Sequence, residues 1–317
     1  MNLSVVIPTF NRPDALPRTL AALAHQTLEP YRFEVVVVED AKNEAPLADP
    51  PPPLHIRTLR AERPGASDAR NVGWRAAMHP LVLFLGDDII PAPDLLARHL
   101  AHHEENPRVD VGVLGHVAWA SELKRTAFMV WLDQGIQFNY PTIRGTEAGP
   151  GHFYTANISV KRAALERVGG FDAETFPFGY EDIDLGVRLF EDGFRLIYDA
   201  RARAEHLHEP DIDRWKARMR TQAAAERAWI RRHPDEQPYF HARFRAALRL
   251  GPRRGRLGRA LLPYVPRSAP FIGERVWENA DVYFRQQLGR PFLAAWEDQE
   301  REDSAASSGG SRPGGPK

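Results

Sequence analysis

The chain contains no cysteine. That excludes disulfides, thiolate zinc sites and cysteine nucleophiles, and leaves any metal to oxygen and imidazole ligands. Net charge is also missing. The 42 basic and 42 acidic side chains balance, so nothing draws the whole chain toward nucleic acid, and no nucleic-acid partner is expected. No apolar stretch approaches the roughly 20 residues that span a bilayer. Residues 1–3 lead directly into a strand-like run with no room for a signal peptide, which makes a cytoplasmic location the expectation. No Gly-x-Gly-x-x-Gly turn follows the first strand, which argues against an NAD or FAD enzyme, and no Gly-Lys-Ser ending marks a Walker loop. Internal repeats are absent. Lysine is scarce, and the positive charge is nearly all arginine, which suits phosphate and carboxylate recognition.

What is present is 317 residues of ordinary globular composition, enough for one large α/β domain, alone or with helices appended. Residues 3–8, 33–38, 54–59 and 81–85 read as strands, and the runs at 33–38 and 81–85 are apolar enough to be buried on both faces. Helical signals separate them: Leu16, Leu20 and Leu23 after Pro13, then 67–78 and, beyond the fourth strand, 93–105. Pro50 to Pro53 read as an extended loop. This order predicts a right-handed, mostly parallel sheet. Further on, strands are expected at 109–119, 155–160, 195–198 and 201–205. Helices are expected at 161–168, stopped by Gly169-Gly170, and at 179–192, ended by Gly193. The stretch before Pro150 is aromatic and irregular. Beyond Asp211 helical patterns take over, with breaks expected at Pro234, Pro252, Pro263 and Pro266. Residues 303–317 have the composition of a disordered tail.

The run at 81–85 ends at Gly86-Asp87-Asp88. A buried strand has no structural use for two anions at its tip, since pairing them costs repulsion and desolvation. The C-terminal ends of strands are where open α/β sheets bind ligands. Asp87 and Asp88 therefore read as holders of a divalent metal against an anionic ligand. Glu39-Asp40 end the second strand on the same edge, where one acid could meet a nucleobase or ribose; a lone aspartate there is more often a turn or helix cap. Gly65 to Asn71 opens a helix whose N-terminus favours phosphate, with Arg70 one turn in, although Ser67 or Asp68 could simply cap it. Three acids, Glu181, Asp182 and Asp184, begin a later helix. They suit the helix dipole, and Asp182 could instead point into a cleft as a general base. His206 and His208 share one face of an extended segment. Such a pair is more often structural, but with strand-end acids and no thiols a His ligand becomes reasonable.

Several motifs together resemble glycosyltransferase family 2: SVVIPTFNR at residues 4–12, FEVVVVED at 33–40, GASDARNVGWRAA at 65–77 and FLGDDIIP at 84–91. GGFDAETFPFGYEDIDLGVRL at 169–189 resembles the acceptor-side motif of galactosyltransferase and polypeptide N-acetylgalactosaminyltransferase catalytic domains. The resemblance covers residues 3–208 in order and spacing. It implies the GT-A fold, a Rossmann-like, mostly parallel α/β sheet flanked by helices. It also implies a nucleotide-sugar donor of the UDP kind, a Mn²⁺ or Mg²⁺ ion and an inverting transfer.

Carried over by the resemblance, Pro8, Thr9, Arg12, Glu39 and Asp40 line the donor site, Thr9 and Asp40 at the nucleoside. Arg70 meets the base or phosphates. Asp88, the last acid of the DXD motif, and His206 hold the metal, Asp87 adjoins the donor, and Asp182 is the base. Glu181, His208 and Asn157 are subsidiary candidates. Two departures stand out: Gly86 replaces the first DXD acid, and the usual VDDGS is VEDAK at 38–42.

The expected organisation is a catalytic domain at 1–210, a helical extension at 211–302 and the tail at 303–317. The acceptor is a glycan, a lipid-linked or a small-molecule hydroxyl compound, as in cell-envelope polysaccharide synthesis. Alternatives are a nucleotidyltransferase, which would release pyrophosphate, and a non-catalytic nucleotide-sugar-binding protein. Residues 243–267 carry eight arginines and no acid among their leucines. They either contact an anionic membrane peripherally or pack their leucines inward with the arginines in solvent. The second is favoured, because prolines interrupt any long amphipathic helix.

Overall fold

A computed structural model of the protein describes residues 1–44, 54–133, 136–250 and 256–308; Pro50 to Pro53 and Pro252 lie outside the described residues. The chain divides into two units, Met1–Lys124 with Leu132–Glu209, and Arg125–Trp131 with Pro210–Lys317.

The first unit is built on a nine-stranded sheet. Its strands are β1 (Leu3–Thr9), β2 (Phe33–Glu39), β3 (Ile56–Arg60), β4 (Leu81–Leu85), β5 (Ile89–Pro91), β6 (Val111–Trp119), β7 (Glu147–Ala148), β8 (Asn157–Lys161) and β9 (Arg195–His206). They lie in the order β3-β2-β1-β4-β8-β6-β9-β5, with β7 also on β9. The first four strands are parallel throughout, as the alternation of strand and helix signals requires. β8 runs antiparallel to β4 and β6, and β6 returns parallel to β9.

Helices α1 (Leu16–Ala24), α2 (Ala66–Ala76), α3 (Leu95–Glu105), α5 (Arg162–Val168) and α6 (Glu181–Glu191) flank the sheet, α4 (Ala127–Leu132) falling mainly in the other unit. Alternation along β1 sends Val6 toward Trp74 of α2 and Leu185 of α6, and Leu3, Val5 and Ile7 toward Leu16, Leu20 and Leu23 of α1. Burial on both faces is why these strands read as unbroken apolar runs.

Two differences from the sequence reading concern the sheet. The expected strands at 195–198 and 201–205 are one strand, β9, whose pairing with β6 slips between Gly115 and His116. The helix expected from residue 179 begins at Glu181, after Gly179 and Tyr180 both take left-handed backbone (φ 86° and 64°).

The second unit comprises α7 (Ile212–Arg232), α8 (Tyr239–Leu248), α9 (Arg256–Leu261) and α10 (Gly273–Ser308) with residues 125–131. Pro234 follows α7, and Pro263 and Pro266 follow α9, as expected of helix breakers. Pro291, however, lies inside α10. Leu288 and Phe292, on either side of it, are buried, and Phe292 packs edge-on against Phe244 of α8. Tertiary packing outweighs the lost hydrogen bond and ring clash. α10 also runs to Ser308, into the stretch expected to be an unstructured tail; residues 309–317 lie outside the described residues. Among the described residues no helix is long and apolar enough to cross a membrane.

Candidate active site

β4 ends at Leu85 and the chain turns at once, with the Ile89 amide donating to the Gly86 carbonyl (3.3 Å). The Asp87 carbonyl accepts from Thr19 Oγ1 of α1 (2.9 Å), and the Asp88 carbonyl accepts from the Leu207 amide (2.9 Å). The turn carrying the two acids is thus fixed from both sides. A Cβ on Gly86 would lie 2.8 Å from Ile89 Cγ1 and 3.3 Å from Asp88 Oδ1. A side chain at this position, where the motif usually has an acid, would need Ile89 to give way.

Asp88 Oδ2 lies 3.3 Å from His206 Nε2 and 3.7 Å from Arg12 Nη2. Arg12 Nη1 is 3.4 Å from His208 Nδ1. One carboxylate, one guanidinium and two imidazoles therefore meet at the ends of β4 and β9. Burial works against ionised Asp88, but the His206 hydrogen bond and the charges of His206, Arg12 and His208 win, and its carboxyl stays below the usual range. Asp87 goes the other way. Burial, then the charge of Asp88, push it up to about 6, against hydrogen bonds from the Thr9 side chain and the Phe10 amide.

Trp119, unforeseen from sequence, lies flat on His206, with ring centroids 5.3 Å apart and planes within 10°. The two are register partners of β6 and β9. The parallel pairing that joins them is non-local, and the aromatic end of the 109–119 run was the one signal. His206 Nδ1 and Trp119 Nε1 are both buried and find no hydrogen-bond partner among the described residues.

A second group sits on α2 and α6. Arg70 Nη1 binds Glu181 Oε1 at 3.0 Å, with its guanidinium 5.7 Å above the Phe171 ring. Beside Glu181, Asp182 Oδ1 accepts from the Ile183 amide (2.9 Å). Burial, then repulsion from Glu181, raise its carboxyl to about 7, with Arg70 pulling in the opposite sense.

The acids after β2 tie this region to the strand tips. The Asp40 amide donates to the Thr9 carbonyl (2.9 Å). Asp40 Oδ2 accepts from the Gly65 amide (2.6 Å) and Oδ1 from the Lys42 amide (2.8 Å), while Glu39 Oε1 accepts from Asn43 Nδ2 (2.8 Å). Asp40 thus has the turn-and-cap role that such an aspartate most often plays. Pro8 lies in β1 opposite Val38.

Two expectations are corrected. The start of α2 is closed by protein: the Ser67 amide donates to the Pro177 carbonyl (3.3 Å), Ser67 Oγ to Phe176 O, and a Cβ on Gly65 would lie 2.5 Å from Pro177 O. It is not a vacant phosphate cradle. Asn157 is fully buried and structural, its Oδ1 on His99 Nε2 (2.9 Å) and its Nδ2 donating to Ala202 O (3.0 Å).

Among the described residues, no group of three or more His, Asp or Glu converges as a metal cage. Asp88 and His206 nevertheless supply one oxygen and one nitrogen donor side by side, a set that can take a divalent cation when a ligand brings further oxygens.

The family model for glycosyl transferase family 2 matches residues 4–169. The chain belongs to this family. The family match weighs against the nucleotidyltransferase alternative. The matched residues stop at 169, so the acceptor-side resemblance at 169–189 falls almost entirely outside them. Validoxylamine A glucosyltransferase of Streptomyces hygroscopicus subsp. limoneus is 30% identical over 250 residues, covering 66% of this chain and 53% of its own. The chain therefore spans about half the length of that relative. S. aureus TarS residues 1–349, solved with UDP, superimposes with a TM-score of 0.51 at 17% identity over 95% of this chain and 92% of that one. A mannosyltransferase of Pyrobaculum calidifontis, solved with GDP-Man and Mn²⁺, gives 0.51 at 19% over 98% and 76%. Both likenesses support the GT-A fold.

Proposed function

We propose that this glycosyltransferase inverts configuration as it moves a sugar from a nucleotide-diphosphate donor, UDP-linked, to an acceptor hydroxyl on a glycan, lipid-linked or small-molecule compound. Residues 1–210 would form the catalytic domain and 211–302 a helical extension. The observation that carries this reading is Asp88, ionised at the tip of β4 with His206 at 3.3 Å. Solved neighbours that hold UDP, or GDP-Man with Mn²⁺, support the choice of donor and metal.

Asp88 and His206 would hold a Mn²⁺ or Mg²⁺ ion, which when bound supplies positive charge against the leaving diphosphate. Trp119 keeps the His206 ring in plane. Arg12, already beside Asp88, adds a fixed cation facing the same phosphates, and His208 helps orient it. Thr9 holds the Asp87 carboxyl, while Pro8, Glu39 and Asp40 shape the nucleoside side.

Asp182 takes the proton from the acceptor hydroxyl. The freed oxygen pair forms the new bond to the anomeric carbon from the face opposite the diphosphate, and the old C–O pair leaves with the nucleoside diphosphate. Arg70 and Glu181 act on Asp182 electrostatically, Glu181 raising its proton affinity and Arg70 restraining it.

Asp88→Ala should lose the Mn²⁺-dependent part of UDP binding measured by calorimetry. Tight, metal-dependent UDP binding by that variant would refute the assignment.

A further inference from the structure

Asp88 Oδ2 faces two groups at once, with His206 Nε2 at 3.3 Å and Arg12 Nη2 at 3.7 Å. A divalent ion held by Asp88 and His206 would share that carboxylate with the Arg12 guanidinium. Like charges brought this close oppose each other strongly unless an anion lies between them.

Arg12 is held where it stands. Its Nη1 lies 3.4 Å from His208 Nδ1, and His208 follows just past the end of β9, its ring centroid 5.9 Å from that of His206. The backbone is fixed as well. Asn11 takes left-handed backbone (φ 51°), a region that asparagine enters more readily than most residues. Its amide donates to Asn43 Oδ1 (2.7 Å), and its Oδ1 accepts from the Glu44 amide (3.0 Å). The Arg12 carbonyl accepts from the Leu16 amide of α1 (3.2 Å). The turn after β1 thus delivers a guanidinium to Asp88 as β9 delivers an imidazole. Even with Asp87 and Asp88 both ionised, Arg12 and a divalent ion together outweigh the two carboxylates. A diphosphate would remove that excess.

We propose that Arg12 makes metal binding conditional on the nucleotide. It opposes a divalent ion arriving alone and favours one arriving with a diphosphate. The inference rests on the reading of Asp88 and His206 as the metal holders. By reciprocity, the ion and the diphosphate each raise the other's affinity, and Arg12 supplies part of that coupling.

Mn²⁺ affinity of the full chain tests this, read from the electron paramagnetic resonance signal of free Mn²⁺ with and without UDP and corrected for Mn²⁺ complexed by UDP in solution. Wild type should bind Mn²⁺ alone weakly and about tenfold or more tightly with UDP. Arg12→Gln should bind Mn²⁺ alone several-fold more tightly than wild type and gain correspondingly less from UDP. A damaged site would lose affinity for the ion, so a gain separates the charge effect from a structural one. Arg12→Lys keeps the charge and should bind Mn²⁺ alone as weakly as wild type. Arg12→Gln that binds Mn²⁺ alone no more tightly than wild type would overturn this inference and leave the metal reading in place. Wild-type protein whose Mn²⁺ affinity UDP does not change would overturn both.

Discussion

Asp87 and Asp88 are neighbours in sequence with opposite titration behaviour: the charge of Arg12 lowers both, but His206 meets the Asp88 carboxylate, and burial and the Asp88 charge prevail at Asp87. The sequence made the pair conspicuous but not the division of labour, which depends on β9 and β1 arriving beside β4. Gly86 is the residue where sequence comparison misleads most easily. Its replacement by aspartate looks like restoration of a missing acid, yet a Cβ there meets Ile89 Cγ1 at 2.8 Å. Gly86→Asp should therefore weaken Mn²⁺-dependent UDP binding in calorimetry by distorting the turn under Asp88; unchanged or tighter binding would show that Ile89 yields. Asp182 gives a pH prediction. As a base it works only when deprotonated, and burial with the Glu181 charge sets its carboxyl at about 7. Turnover of a nucleotide-sugar donor should be near its plateau above that value and fall about tenfold per unit below it. A rate that stays flat down to about pH 5 would remove Asp182 from the base role.

Among the elements, α3 shows what periodicity leaves unsaid. Its apolar face was evident, but it also buries two histidines among polar groups. His99 meets Ser159 Oγ and Asn157 Oδ1 at 2.8 and 2.9 Å; His103 Nε2 meets the same Ser159 hydroxyl at 2.9 Å, and His103 Nδ1 lies 3.1 Å from Lys161 Nζ. Burial, offset in part by the Asn157 hydrogen bond, lowers His99 to about 4. Burial and then the charge of Lys161 take His103 to about 2. The stability that goes with their neutrality is present above the unfolded value of 6.5 and is lost as pH falls toward the folded values. The raised carboxyls of Asp87 and Asp182 have the opposite sign over much of the same range, so melting curves mix the two. Imidazole NMR signals separate them: both rings should stay neutral down to about pH 5, and titration of either near its ordinary value would contradict the buried network. Arg98 and His102 of the same helix bind Asp199 Oδ2 at 2.7 and 3.0 Å in the stretch where β9 slips register. That ion cluster joins segments far apart in sequence, which is why one irregular strand read as two regular ones.

At the scale of the molecule, the parallel half of the sheet was legible because each strand is apolar on both faces and each helix has one apolar stripe. The strand tips were where the chemistry was expected, and Thr9, Arg12, Asp87, Asp88, His206 and His208 lie together there. The antiparallel pairing of β8, the stacking of Trp119 on His206 and the long α10 through Pro291 depend on tertiary contacts that no local pattern encodes. The central claim joins both groups of the site: metal-held donor at Asp88 and His206, proton removal at Asp182. Its most direct test is Asp182→Asn, assayed for nucleoside diphosphate released from a nucleotide sugar with saturating Mn²⁺, alongside calorimetric UDP affinity. The account predicts that release falls by roughly 10²-fold or more while UDP affinity stays within about twofold of wild type. Undiminished release by Asp182→Asn would contradict it.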